Sequence, residues 1–247
     1  MKKIFNWQVT LGIILVSLSL VFYLLHYFIF RDAHHIFIYL LGDIAFLFLD
    51  VFIVMLVLHR LLEYRDKRLI LKKLNMVIGT FFSEVGTELL QKCSQFDPEL
   101  AVMGKQLIIT KDWTDKEFNS ARKRVKGYVP DLNSKAGDLA QAKVFLSGKR
   151  HFLLNLLDNP NLLEHESFTE LLWAVFHLTD ELVHRKDLAK LPDADYQHLS
   201  GDMKRVYQQL ILQWLDYMRH LSHDYPYLFS LAIRTNPFDA NSSVEIK

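Results

Sequence analysis

The sequence predicts an all-α membrane protein in which an N-terminal two-helix transmembrane hairpin is followed by a cytoplasmic α-helical bundle. Three observations predict it. The first sixty residues hold two long runs almost free of charge, the remainder carries apolar residues at three- and four-residue spacing, and all six prolines fall between those periodic stretches. The domain boundary is placed near residue 60, with 1–60 as the hairpin and 61–247 as the cytoplasmic part.

Residues 8–30 contain no Asp, Glu, Lys or Arg, and about 20 predominantly apolar residues suffice to cross a bilayer as a helix. Residues 36–58 form a second run, interrupted only by Asp43 and Asp50. Between them, Arg31-Asp32-Ala33-His34-His35 has room only for a tight turn. The two spans are therefore antiparallel, each helix satisfying its own backbone hydrogen bonds as hydrocarbon demands. A cleaved signal peptide would have a shorter apolar run and a small-residue pattern before Arg31, and the sequence has neither.

Orientation follows from the cations. Lys67, Arg68, Lys72 and Lys73 follow the second span closely, whereas the turn offers only Arg31. The positive-inside rule then puts both termini in the cytoplasm and the chain in the cell membrane. The same four residues are expected to meet anionic lipid headgroups. Cys93 falls in a reducing compartment, where no disulfide is expected, and it is read as a small buried hydrophobe rather than a reactive thiol.

All but six of the 57 charged residues lie in residues 59–247, about 27% of that stretch, an ordinary soluble composition. The net charge of +1 argues against nucleic acid as a partner. Leu74, Val77, Ile78, Phe81, Phe82, Val85, Leu89 and Leu90 make one helical stripe, and no proline precedes Phe96, so the second span is expected to run on into this helix. Gly79, Ser83 and Gly86 add a small-residue face suited to close helix contact, within the chain or between copies. Further helices are expected near 98–108, 114–127, 136–157, 168–188, 194–223 and 226–234, with Gly148-Lys149 a candidate break in the third. Thr114 to Glu117 and Ser167 to Glu170 each fit a capping box. Leu107-Ile108-Ile109 is a candidate short strand, and Asn236 to Lys247 reads as a loose polar tail.

Two constellations carry chemistry. Asp43 and Asp50, seven residues apart, share a face of the second span. An Asp at the centre of a span costs roughly 2.5–3.5 kcal/mol on insertion scales, so two of them need a reason. Ser19, Tyr23 and His26 on the first span offer a polar seam that can pair with them. Alternatively, a ring of copies turns each Asp into a carboxylate ring attractive to cations. The second constellation is His177, Glu181 and His184 on one face of a later helix, where Glu-x-x-His is the spacing of helical metal sites. Its simpler reading is a solvated face or a contact with Arg185, Arg205 or Arg219. His198 and Asp202 stand one turn apart on the following helix, with His220, His223 and Asp224 further on. The aromatic stretch from Trp214 to Phe229 reads as core and Arg122, Lys123, Arg124 and Lys126 as a solvated basic face.

No P-loop, Gly-x-Gly-x-x-Gly, His-Glu-x-x-His or Gly-x-Ser-x-Gly occurs, and nine glycines leave little phosphate-cradling loop. Nucleotide hydrolysis and nucleophilic catalysis are therefore disfavoured, and no cofactor is expected. The expected function is an oligomeric membrane protein offering a cation or proton pathway, with lipid and copies of itself as partners. The alternatives are a membrane-anchored module that binds a cytoplasmic protein, and a metal-dependent enzyme resting on the His177 face.

Overall fold

The computed structural model describes residues 2–97, 100–160, 162 and 165–245. Among these residues the chain is helical and contains no strand. It divides into two compact units, Met1–Lys67 and Arg68–Lys247.

In the first unit, α1 spans Lys2–Phe30 and α2, which spans Ala33–Phe81, begins. α1 stops because Arg31 turns into the left-handed region at φ 55°, its amide donating to the Tyr27 carbonyl at 2.8 Å. A non-glycine residue there is strained by about 1–2 kcal/mol. α2 starts at once because Asp32 caps it, Oδ1 accepting from the His35 amide at 3.1 Å. The turn is thus Arg31-Asp32, shorter than the five residues expected. Both helices contain a stretch long and apolar enough to cross a membrane.

In the second unit the expected stripe is buried: Leu74, Ile78, Phe81, Phe82, Val85, Leu89 and Leu90 all face the core, with Val77 packed at its edge. The helix does not hold α-geometry throughout. A π-helical turn occupies Phe82–Gly86 before α3 resumes over Thr87–Ser94. Phe81 and Phe82, at the entry to this turn, are both buried, and such single π turns are uncommon within α-helices. Thr87 Oγ1 donates to the Phe82 carbonyl at 2.8 Å inside it. Cys93 is buried as expected, and burial pushes its thiol up to about 12.

α4 covers only Leu100–Lys105, shorter than the expected 98–108; Pro98, at its expected start, lies outside the described residues. Leu107 and Ile109 are buried on either side of exposed Ile108, the alternation of a strand, but no second strand pairs with them among the described residues. The Leu107 carbonyl instead accepts from Asn236 Nδ2 at 2.9 Å.

α5, Asp115–Gly127, starts as its capping box predicts: the Lys116 amide donates to Thr114 Oγ1 at 3.3 Å, and the Thr114 amide to the Glu117 carboxylate at 2.9 Å. α6, Leu139–Leu157, passes Gly148-Lys149 unbroken, as Leu146 and Leu153 are fully buried on either side. α7 runs Glu166–His184, and its cap is not the expected one. His165 Nδ1 accepts from the Phe168 amide at 3.2 Å, while the Ser167 hydroxyl accepts from Gln213 Nε2 at 2.8 Å. A tertiary partner for Ser167 removed it from the capping role.

α8, Asp193–Asp224, is the central element, packing against α3, α5, α7, the π turn and α9, Pro226–Arg234. Leu199, Met203, Val206, Leu210 and Trp214 bury one row, and Tyr207, Ile211, Leu215 and Met218 a second. A helix apolar over so wide an arc must be covered on several sides. α6 packs on the far side of α7. The tail is tied down rather than loose as far as Ser243: Asn236 is buried, Phe238 lies 5.1 Å edge-on to Trp214, and the Ser243 amide donates to the Arg234 carbonyl at 2.9 Å.

Polar ties on the surface join α5 to α8. Asp115 Oδ1 accepts from Arg219 Nε at 2.7 Å and from His223 Nε2 at 3.0 Å, and Arg122 pairs with Asp216. The bond from Arg219, then that from His223, holds the Asp115 carboxyl below its usual range. A lowered pKa stabilises the fold above the ordinary carboxylate value of about 3.9 and loses that effect as pH falls through the folded value. Asp115→Asn is therefore expected to lower the melting temperature at neutral pH, with the gap to wild type closing below about pH 4. A gap unchanged at about pH 3, measured by thermal unfolding, would contradict this.

Candidate functional site

The candidates on the two apolar helices occupy the first unit. His26 stacks on His35 across the turn, with ring centroids 6.1 Å apart and planes within 7°. Ser19, Tyr23, His26, His35 and Tyr39 line a crevice of about 700 Å³ together with apolar neighbours. His26 Nδ1 is buried there without a hydrogen-bond partner.

Asp43 and Asp50 are not part of this crevice. Both are exposed, and among the described residues neither makes a hydrogen bond or ion pair. Of the described side chains in residues 7–67, only His26, Ile36 and Leu40 are less than exposed. Apolar surface and both carboxylates of α2 are thus left without cover from α1.

Downstream, Lys67 and Lys73 are exposed, while the side chains of Arg68 and Lys72 lie outside the described residues. Gly79 faces α8, where a Cβ would meet the Tyr217 ring at 3.5 Å. Gly86 faces its own neighbours: a Cβ would stand 2.5 Å from Phe82 and 2.9 Å from Phe81. The small-residue face therefore serves contacts inside the second unit at both glycines.

The metal candidates come together differently from the helix-face pattern. His184 is the last residue of α7, and its Nδ1 donates to the Asp180 carbonyl at 2.7 Å, so it caps the helix end. His177 faces α8 instead, where it meets His198 and Asp202. Asp202 Oδ2 lies 3.4 Å from His177 Nε2 and 3.2 Å from His198 Nε2. The Asp202 side chain is only 6% exposed, whereas the two imidazoles are about half exposed. Its Oδ2 accepts no hydrogen bond, and Oδ1 takes one from Arg205 at 3.4 Å.

Glu181 stands at the rim, 3.9 Å from His177 Nε2 and 3.6 Å from His198 Nε2. It is engaged by Arg185, whose hydrogen bond holds the Glu181 carboxyl below its usual range against the opposing effect of burial. Arg185 in turn reaches Asp195 at 3.2 Å, which ties the end of α7 to the start of α8. A periodic scan along one helix selects His184 because it shares a face with His177. The signal for the true neighbours was the four-residue spacing of His198 and Asp202, which says nothing about the helix opposite.

His177, His198 and Asp202 could hold a metal ion, each offering one ligand atom and all three atoms within 4.8 Å of one another. The aromatic stretch is core in part: Trp214 and Phe229 are buried, while Tyr227 is exposed. Lys123, Arg124 and Lys126 are exposed as a solvated face, and Arg122 is drawn in by Asp216.

Comparison with known proteins gives two family matches. Residues 70–234 match the family described as "Uncharacterized protein MJ1433, C-terminal helical domain", and residues 2–62 match "MJ1433, N-terminal helical domain". The chain is 44% identical over 239 residues to "Uncharacterized protein MJ1433" of Methanocaldococcus jannaschii, covering 97% of this chain and 96% of that protein. No solved structure matches.

Proposed function

The chain belongs to the MJ1433 family, and for it we propose an integral membrane protein that assembles with copies of itself to form a cation or proton pathway. In this reading α1 and the first part of α2 span the membrane, and Asp43 and Asp50 line the path. The second unit lies on the cytoplasmic side as the assembly or gating part, with Lys67 and Lys73 near anionic headgroups.

The observation that carries the reading is the pair of uncovered carboxylates on a helix long and apolar enough to span. Left against lipid, each costs roughly 2.5–3.5 kcal/mol near the span centre. A neighbouring copy or a water-filled axis relieves that cost, and closed rings are the ordinary way a repeated interface ends. The chain's own α1 does not relieve it.

The test is ion flux through vesicles reconstituted with the purified full-length protein. Proton or monovalent-cation flux above that of empty vesicles is expected, falling at least about tenfold in Asp50→Asn, where the neutral amide removes the charge at nearly constant shape. Flux equal in the two proteins, or absent in wild type, overturns the pathway and favours an anchored interaction module.

A further inference from the structure

We propose that His177, His198 and Asp202 form a binding site for a single divalent transition-metal ion of the zinc class, between α7 and α8 of the second unit. The site does not depend on the membrane reading, since every ligand lies in that unit.

Two of the three ligand–ligand distances match the ion, and all three atoms lie within 4.8 Å of one another. Zinc binds imidazole nitrogen and carboxylate oxygen at about 2.0–2.2 Å in tetrahedral arrangement, which sets neighbouring ligand atoms roughly 3.3 Å apart. Asp202 Oδ2 stands 3.4 and 3.2 Å from the two imidazole nitrogens. The oxygen is buried and receives no well-aligned hydrogen bond, although both imidazole nitrogens stand within ion-pair distance of it. An ion among the three atoms would bind all of them at once.

The ligand types select the class. Two imidazoles with one carboxylate suit zinc, nickel, copper or iron, whereas calcium and magnesium take oxygen ligands. Arg205 on Asp202 Oδ1 orients the carboxylate so that the other oxygen is presented to the histidines. The exposed edges of both imidazoles leave one side open to solvent. Three protein ligands and an open fourth position describe an accessible site rather than a closed structural one. Glu181 borders that open side, close to both imidazoles.

Untagged full-length protein, stripped with a chelator, is titrated with Zn²⁺ by calorimetry and with Co²⁺ by visible absorption. One ion per chain is expected, with the strong ligand-field bands of tetrahedral Co²⁺. Losing a merely supporting partner of a metal site costs about 10–100-fold in affinity, so His177→Gln combined with His198→Gln should exceed about 100-fold. Both histidines are half exposed, so this variant should keep its helical circular dichroism, which shows that it is folded. His184→Gln and His223→Gln should bind as wild type does. Absence of stoichiometric binding, or binding retained in the folded double variant, overturns the proposal.

Discussion

Replacing Phe81 with alanine is expected to destabilise the second unit by about 3–5 kcal/mol. The ring is fully buried and lies edge-on to Phe82 and to Phe168 of α7, both at 5.3 Å between centroids. Its removal takes away the apolar transfer term, leaves a cavity and deletes two aromatic pairs. The surroundings cannot close readily, because Phe82 is itself fixed by stacking on Tyr217 at 5.1 Å. Denaturant unfolding of the full-length protein in detergent, followed by tryptophan fluorescence, measures the loss. Met76→Ala serves as comparison, since Met76 is 65% exposed on the same helix and should change stability by less than about 0.5 kcal/mol. A loss below about 1 kcal/mol at Phe81 would mean that the aromatic junction is not packed as described.

Gly86→Ala is the second large expectation, and its sign is set by packing. Helix propensity alone favours alanine over glycine by about 1 kcal/mol. At Gly86 a Cβ would stand 2.5 Å from Phe82 Cδ1 and 2.9 Å from Phe81 Cε1, well inside contact distance. Those atoms belong to rings buried on every side, so they have no open direction in which to yield. Overpacking of this kind costs about 1–3 kcal/mol. The variant should therefore be less stable by denaturant unfolding, and a gain in stability would show that the π turn relaxes to a regular helix at no cost. Gly148→Ala, on α6 where a Cβ meets nothing within 4 Å, should instead follow propensity and stabilise slightly.

Much of the fold was legible because it rests on local rules. The stripe from Leu74 to Leu90 repeats at helical spacing, and burial follows it at every position but Val77, which is partly buried. Thr114 and Glu117 sit within one turn, so their capping box needed no distant partner to form. Legibility ended where distant groups compete. Ser167 reads as a cap until Gln213 claims its hydroxyl, and Asn236 reads as tail until the Leu107 carbonyl claims its amide. The π turn was hidden because its residues, Phe82 to Gly86, continue the same apolar helical spacing as the α-helix on either side.

The candidate sites divide in the same way. Asp43 and Asp50 stand out in any reading of the sequence, since a charge in an apolar run is conspicuous by composition alone. Their lack of cover from α1 was not legible, because spacing along one helix does not tell what lies against it. The histidines show the sharper division. The spacing of His177, Glu181 and His184 was visible along α7, but a helix face has no knowledge of what packs on it.

By itself, then, the sequence determined an all-helical chain, the two apolar N-terminal helices and the residues of the core, because periodicity and composition act over a turn or two of chain. Only the tertiary structure decided which polar groups meet: that His177 turns to His198 and Asp202, that His184 turns back to its own helix end, and that Asp202 is buried against both imidazoles. The physical reason is that a polar side chain takes the best partner in space, and the packing of α7 on α8 brings together groups separated by the whole of the intervening loop.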